Sequence, residues 1–158
     1  MSAPDNDDNN SNNAAAKSQI RDLIYSYFQI AKSKEIENIP SFFSDDFTKF
    51  GDSPPYDRRD LERALMLEQL QFASISDYDF KIEAMRIDLV GDSAAVATFE
   101  LQSTGIIVDD YSFRGTAVNN RSRVTIVLQK ARKGDDGGGW KMLHQHFSRM
   151  PGGSNDGG

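Results

Sequence analysis

The chain has 158 residues, a formal net charge of −6 at neutral pH and no cysteine. This length suits one well-filled core rather than two ordinary domains. The lack of cysteine excludes disulfides, thiolate catalysis and sulfur-ligated metals, and the acidic charge gives no basis for a nucleic-acid partner. No apolar segment approaches the roughly 20 residues of a transmembrane helix, and the N-terminus lacks the features of a signal peptide. We therefore expect a cytoplasmic protein with no membrane partner.

Polar segments lie at both ends of the chain. Residues 1–16 are rich in asparagine and aspartate, and residues 152–158 are mostly glycine. Neither segment can bury enough apolar surface to offset the entropy lost on ordering. We predict disordered tails at 1–16 and 152–158 around one folded domain at 17–151.

Three helices are predicted before any strand. From Ala14 to about Lys34, apolar residues recur at spacings of three and four, as on the buried face of a helix. The same spacing continues across Pro40 and predicts a short second helix that ends near residues 44–46. The third helix is capped by Asp57 or Asp60 and runs to about residue 72. Its apolar residues are Leu61, Leu65 and Phe72, with Met66 and Leu70 at the margin.

After Ser74 the apolar period changes from 3.6 to 2, which predicts strands. The four predicted strands run from residue 75 to the turn at Gly91, and over about 93–103, 111–131 and 140–150. Within the first strand the apolar parity switches between Ala84 and Met85, which predicts a β-bulge. Helices followed by strands with short connections indicate an α+β domain with an antiparallel sheet.

The closing strand carries both histidines of the chain. Because side chains alternate across a strand, one face should present Trp140, Met142, His144, His146 and Ser148. A stripe of apolar rings and a few polar groups suits the wall of a cavity that holds an apolar ligand. We predict that this face lines a pocket.

Three stretches resemble the SnoaL-like and ketosteroid-isomerase-like members of the NTF2-like superfamily. They are YFQIAKSKEI at 27–36, FFSDDF at 42–47 and WKMLHQHFS at 140–148, and the last is most similar to SnoaL-like proteins related to the kinase II association domain. The resemblance covers roughly residues 17–151. It implies a cone in which a curved antiparallel sheet wraps around three N-terminal helices. Since this fold serves several activities, function has to be argued from the site.

The resemblance implies four candidate catalytic residues, namely Tyr27, Asp52, His144 and His146. Tyr27 matches a phenol that donates to a developing enolate oxygen, whereas the proton-abstracting carboxylate matches Gly51, one residue before Asp52. No acid occurs at residues 123–125, where the isomerases place a second carboxyl, so a true steroid isomerase is not expected. The two histidines would point into the cone and transfer protons near neutral pH. The alternative is that tyrosine and histidines are structural.

Trp140, Met142, Ser148 and Arg123 are the candidate ligand-binding residues. Arg123, two residues from Arg121, would clamp an anion if its face is concave. The alternative is that both arginines lie at the rim or on the outer face, paired with acids.

The chain offers no complete metal or phosphate motif. The two histidines of the closing strand lack a third ligand, which would have to come from Asp46, Asp52, Asp109 or Asp110. Ser148 has no nucleophile elbow around it, and the aspartates of the 134–139 loop would repel phosphate. We predict a hairpin tip at this loop, no metal and no cofactor.

Two classes of function stay open at this point. In the first, the cone binds an unknown small apolar carbonyl compound, with or without cofactor-independent isomerase, cyclase or dehydratase activity. In the second, the domain is a non-enzymatic association module. Apolar residues on both parities of the last two strands predict that the outer sheet face is also covered. A homodimer through that face is therefore expected in both cases.

Overall fold

The computed structural model describes residues 5–108, 114–131 and 139–151. The described helices are α1 (Asp5–Ser33), the 3₁₀ helix η1 (Ile36–Phe42) and α2 (Leu61–Ser74). The strands are β1 (Phe43–Phe50), β2 (Arg59–Asp60), β3 (Ile75–Val90), β4 (Ala94–Val108), β5 (Gly115–Lys130) and β6 (Trp140–Arg149). The predicted α+β class with three helices is confirmed.

The strands form one curved, unclosed sheet in the order β2-β1-β6-β5-β4-β3. All neighbouring strands are antiparallel except β1 and β6, which are parallel. The sheet carries its buried apolar side chains on the face toward the helices, among them Phe99, Val124, Ile126 and Leu128. This inner face and the helices share one core.

The predicted sheet lacked β1, because residues 44–46 were assigned to the end of a helix. The helix η1 ends at Phe42, and β1 follows directly. In β1 the buried side chains are Phe43, Phe47 and Lys49. A lysine therefore occupies a buried position at which a strand normally has an apolar residue. Apolar alternation was therefore too short to indicate a strand.

The first helix begins earlier than the sequence predicted. It starts at Asp5 rather than at Ala14, so part of the predicted N-terminal tail continues the helix. Once the packed part of a helix has formed, the free energy needed to add each further residue is small. Residues 1–4 and 152–158 of the predicted tails lie outside the described residues.

The helix α2 begins at a cap that the sequence indicated. The Asp60 side chain accepts a hydrogen bond from the Arg63 backbone N–H at 3.1 Å, and this satisfies one of the unpaired amides of the first turn. The buried residues of α2 are Ala64, Glu68 and Phe72. Glu68 is a carboxylate on the core side of this helix.

The predicted bulge in β3 is confirmed. Pairing with β4 shifts register between Glu83 and Arg86, and Ala84 has a φ of 54°. A second shift lies between Ser76 and Asp79, where Asp77 has a φ of 52°. Bulges bend a strand and increase its twist, so β3 curves around the helices and leaves room beneath them. None of the described helices combines the length and the apolar content needed to cross a membrane.

Candidate functional site

The cone holds a cavity of about 440 Å³ between the helices and the inner face of the sheet. This volume is in the usual range for small-molecule sites. Apolar walls come from side chains such as Phe28, Phe72, Leu101 and Phe147. The charged side chains of the lining are Lys49, Asp52, Arg59, Glu68 and Arg149. A largely apolar hollow therefore contains several ionisable groups.

A chain of three buried polar groups lies at one side of the cavity. The Tyr27 hydroxyl donates to Glu68 Oε2 at 2.5 Å, and Lys49 Nζ donates to Glu68 Oε1. Both partners of the ion pair are almost fully buried. The ammonium also lies 4.4 Å from the centre of the Phe147 ring, a cation–π contact. These contacts join α1, β1 and α2 through groups that would be costly to bury singly.

The protonation state of Tyr27 follows from its surroundings. Burial, and after it the Glu68 carboxylate, raises the pKa of the Tyr27 phenol well above its ordinary value of 10.0. The phenol therefore stays neutral, and its hydrogen bond goes to Glu68. Tyr27 lines the cavity, and its hydroxyl is engaged by the Glu68 carboxylate.

Asp52 belongs to a second polar cluster of the same cavity. Ser122 Oγ donates to Asp52 Oδ2 at 2.5 Å, and Arg149 Nε lies 3.6 Å from that oxygen. No described residue makes a hydrogen bond to Asp52 Oδ1. The Asp52 side chain keeps 18% of its surface exposed, so a ligand can reach it.

Arg59, in the short strand β2, is the third polar feature of the lining. Its side chain is buried, and Nη2 donates to the carbonyl oxygens of Ser53 (3.3 Å) and Pro55 (3.0 Å). Its Nε is buried without a hydrogen-bond partner.

The prediction that both histidines face the cone is wrong. Pairing of β5 with β6 places Leu128 opposite Met142 but Val127 opposite His144, so Leu143 is an extra residue and the alternation switches. From there on, the buried or cavity-lining residues are Gln145, Phe147 and Arg149. His144 and His146 lie on the outer face of the sheet.

The four predicted ligand-binding residues also lie away from the cavity. Trp140 and Met142 precede the bulge and are buried in the core, without lining the cavity. Ser148 pairs with Arg123 on the outer face, where both are exposed. The predicted constellation is thus reduced to Tyr27 and Asp52.

His144 has polar and aromatic neighbours on the outer face. Its Nδ1 lies 2.8 Å from Thr48 Oγ1, and its ring contacts the rings of Phe50 and His146. Partial burial, followed by the neighbouring His146, lowers the pKa of His144 below its ordinary value of 6.5. Within the part of the chain that the structure describes, no three potential ligands cluster as a metal site would need; Asp109 and Asp110 lie outside it.

Five residues of the cavity lining were not predicted from the sequence, namely Lys49, Arg59, Glu68, Ser122 and Arg149. One signal was present in α2, because Glu68 follows Ala64 by four residues and precedes Phe72 by four, on the buried stripe. For Arg149, the signal depended on the bulge in β6. Around Lys49, Arg59 and Ser122 the sequence shows no apolar periodicity that would distinguish these buried residues from solvent-facing ones.

The curved sheet around helices, with a cavity between them, defines an NTF2-like fold. A model of the SnoaL-like domain family matches residues 20–152. The chain belongs to the SnoaL-like domain family, in agreement with the resemblance seen in the sequence. The comparison with curated proteins gave no match.

Solved structures with the same fold carry several descriptions. An NTF2-like superfamily protein from Salmonella enterica has a TM-score of 0.70 at 19% identity, covering 92% of this chain and 99% of that one. A proposed scytalone dehydratase from Novosphingobium aromaticivorans has a TM-score of 0.72 at 12% identity, covering 89% and 88%. A proposed calcium/calmodulin-dependent protein kinase II association domain from Xanthomonas campestris has a TM-score of 0.66 at 16% identity, covering 84% and 86%. At these identities the likeness shows the fold alone.

The buried ion pair makes a strong prediction about stability. Lys49→Met leaves the Glu68 carboxylate buried without a cation, so we expect the free energy of unfolding to fall by about 3–5 kcal/mol. The double variant Lys49→Met/Glu68→Leu should lose less than the single variant, because no lone charge remains buried. Urea unfolding measures both. Lys81→Met, which breaks the exposed Lys81–Glu83 pair, is the control and should change little. A Lys49→Met loss as small as that of the control contradicts the prediction.

The lowered pKa of His144 predicts a loss of stability in acid. Its folded-state pKa lies below the unfolded value near 6.5, so the unfolded chain binds the proton more readily. This contribution to stability is complete above pH 6.5 and decreases as pH falls through the folded-state pKa. An NMR titration should show the midpoint of His144 below 6.5, and His144→Gln should flatten the decrease of stability between pH 7 and 5. A midpoint at or above 6.5 contradicts it.

Proposed function

We propose that this protein binds a small, largely apolar carbonyl compound in its cavity and catalyses proton transfer next to the carbonyl without a cofactor. The observation that carries the proposal is the buried Tyr27–Glu68–Lys49 chain in the wall of a cavity that also contains Asp52. Burying such charges costs stability that an apolar core would not lose. Buried ionisable groups in a cleft are typical of functional sites.

Asp52 is the proposed base. The oxygens of Glu68 already accept hydrogen bonds from Tyr27 and Lys49, whereas Asp52 Oδ1 has no described partner. In the proposed step, Oδ1 takes the proton from the carbon next to the carbonyl, the C–H electron pair forms the enolate, and the negative charge moves to the carbonyl oxygen. If a C=C bond is conjugated with the enolate, return of the proton from Asp52 to the far carbon of that system completes an isomerisation. If the β-carbon carries a hydroxyl, re-formation of the carbonyl makes a C=C bond, the C–O bond breaks, and the hydroxide takes the proton held by Asp52 and leaves as water.

Lys49 is proposed to stabilise the enolate oxygen. An ammonium has three N–H donors, and one of them is engaged by Glu68. A donor fixed in an apolar wall before the reaction starts stabilises developing charge more than a donor in water does. Tyr27 acts indirectly here, as a positioning residue that holds Glu68. A structure of the same fold is described as a proposed dehydratase, so the fold is compatible with a reaction of this class.

The proposed base can be tested with simple ketones. The protein should accelerate deuterium incorporation from D₂O next to the carbonyl of 1-tetralone, 2-tetralone or 4-chromanone, followed by NMR. Asp52→Asn should slow the catalysed exchange by on the order of 10² or more while still binding the ketone. Asp45→Asn, an exposed change on β1, is the matched control. The proposal fails if no ketone exchanges faster than in buffer, or if the two variants are equally active.

The proposal includes a homodimer through the outer face of the sheet. Thr48, His144, Val127 and Val96 form a row across β1, β6, β5 and β4, and all four are half-buried in the single chain. Phe50 adds an exposed ring beside this row. In this row Thr48 and His144 are hydrogen-bonded to each other, and with the two valines and Phe50 they give a surface with few unsatisfied polar groups, which suits a covered face.

Oligomeric state is measured by light scattering after gel filtration. The wild-type protein should have twice the 17.6 kDa mass of one chain, and Val127→Glu should be monomeric because it would bury a charge at the interface. Val90→Glu makes the same change at the end of an edge strand and should leave the dimer intact. A wild-type monomer at tens of micromolar contradicts this part of the proposal.

A further inference from the structure

Arg59 is a buried cation in the cavity wall that forms no ion pair with any described carboxylate. Its side chain is 95% buried, since only 5% of its surface is exposed, and no described carboxylate lies within 4 Å of its guanidinium. Of the two acids near it in sequence, Asp57 is exposed and pairs with Arg63 at 2.7 Å, and Asp60 caps the helix α2. A buried charge without a counter-charge is costly, and in proteins it is normally paired.

The guanidinium is held in place but keeps unused donors. Of its five N–H donors, those of Nη2 serve the carbonyl oxygens of Ser53 and Pro55. Nη1 has no described hydrogen-bond partner, and Nε is buried without one. Gly51 makes room for this arrangement, because a Cβ there would lie 3.1 Å from Nη2 and 3.3 Å from Nη1.

The charged side chains of the cavity lining leave one positive charge unbalanced. The lining contains three cations, Lys49, Arg59 and Arg149, against the two carboxylates of Asp52 and Glu68. Lys49 pairs with Glu68, and Arg149 lies near Asp52. The unmatched positive charge is therefore that of Arg59, although the whole chain is negative. One anionic group on a ligand would balance the cavity.

We propose that the ligand of this cavity carries a carboxylate, which Arg59 binds. The inference rests on the proposed function only in taking the cavity as a ligand site, and it adds the chemical class of the ligand. A guanidinium matches the planar, bidentate geometry of a carboxylate. A single negative charge also fits better than a phosphate dianion, because Asp52 and Glu68 lie in the same lining.

The test compares two probes of the same shape, 2-naphthoate and 2-naphthamide, by isothermal titration calorimetry at low salt. Wild-type protein should bind the carboxylate at least tenfold more tightly than the amide. Arg59→Gln should bring this preference close to one. Arg149→Gln removes a cation that already has an acidic neighbour, so the carboxylate preference should persist. Equal binding of both probes by the wild type, or loss of preference only in Arg149→Gln, overturns the inference.

Two further variants keep the test decisive if Arg59→Gln does not fold. Gly51→Ala retains the charge but forces the guanidinium to move by a few tenths of an ångström, and Arg59→Lys retains the charge but loses the planar fork. Both should weaken the preference for the carboxylate, and full preference in both overturns the inference.

The neutral ketones of the exchange assay separate this inference from the proposed function. Exchange without carboxylate preference rejects only the ligand class. Carboxylate preference without exchange rejects only the chemistry, and the absence of both binding and exchange rejects both.

Discussion

The buried Lys49–Glu68 ion pair, with Tyr27 bound to the same carboxylate, is the interaction on which the rest of the site depends. It connects β1, α2 and α1. Each of these polar groups would be unfavourable alone in the interior, so the three have to be buried together. Together the three groups form a polar wall along the cavity. Apolar side chains of similar volume could replace the ion pair with little loss of stability, but they would remove this polar wall.

Irregularities in the strands decide which residues meet in that hollow. An extra residue in a strand exchanges its two faces from that point on. In β6 the extra residue is Leu143, and it turns Gln145, Phe147 and Arg149 toward the helices while His144 and His146 turn outward. In β3 the bulge at Ala84 keeps apolar residues on the inner face on both sides of the switch. The curvature of the sheet and the composition of the site thus have a common physical origin.

The same irregularities determine how far sequence alone could lead. The bulge in β3 could be predicted, because the apolar residues change parity there, and so could the helices from their period of 3.6. The bulge in β6 could not be predicted. Apolar and polar residues occur on both faces of that strand, so the sequence shows no change in which face is apolar. The charged residues Lys49 and Glu68 were missed for a related reason. Charged side chains are normally assigned to the solvent, and only the neighbours of Glu68 in α2 indicate otherwise.

The two polar clusters of the cavity differ in their access to water, and this difference suits them to different parts of the proposed reaction. The Tyr27–Glu68–Lys49 chain is almost dry and internally matched, so its dipoles and charges stay fixed when a ligand enters and act as a permanent field. Asp52 and Arg149 are partly exposed and their closest charged atoms lie 3.6 Å apart, and such a partly exposed pair contributes little, so a ligand can replace it at little cost. A fixed group suits the stabilisation of charge, whereas a replaceable one suits contact with the reacting atoms. Such a division needs a cavity that is closed at one side and open at the other, which is the shape that a cone of one curved sheet provides.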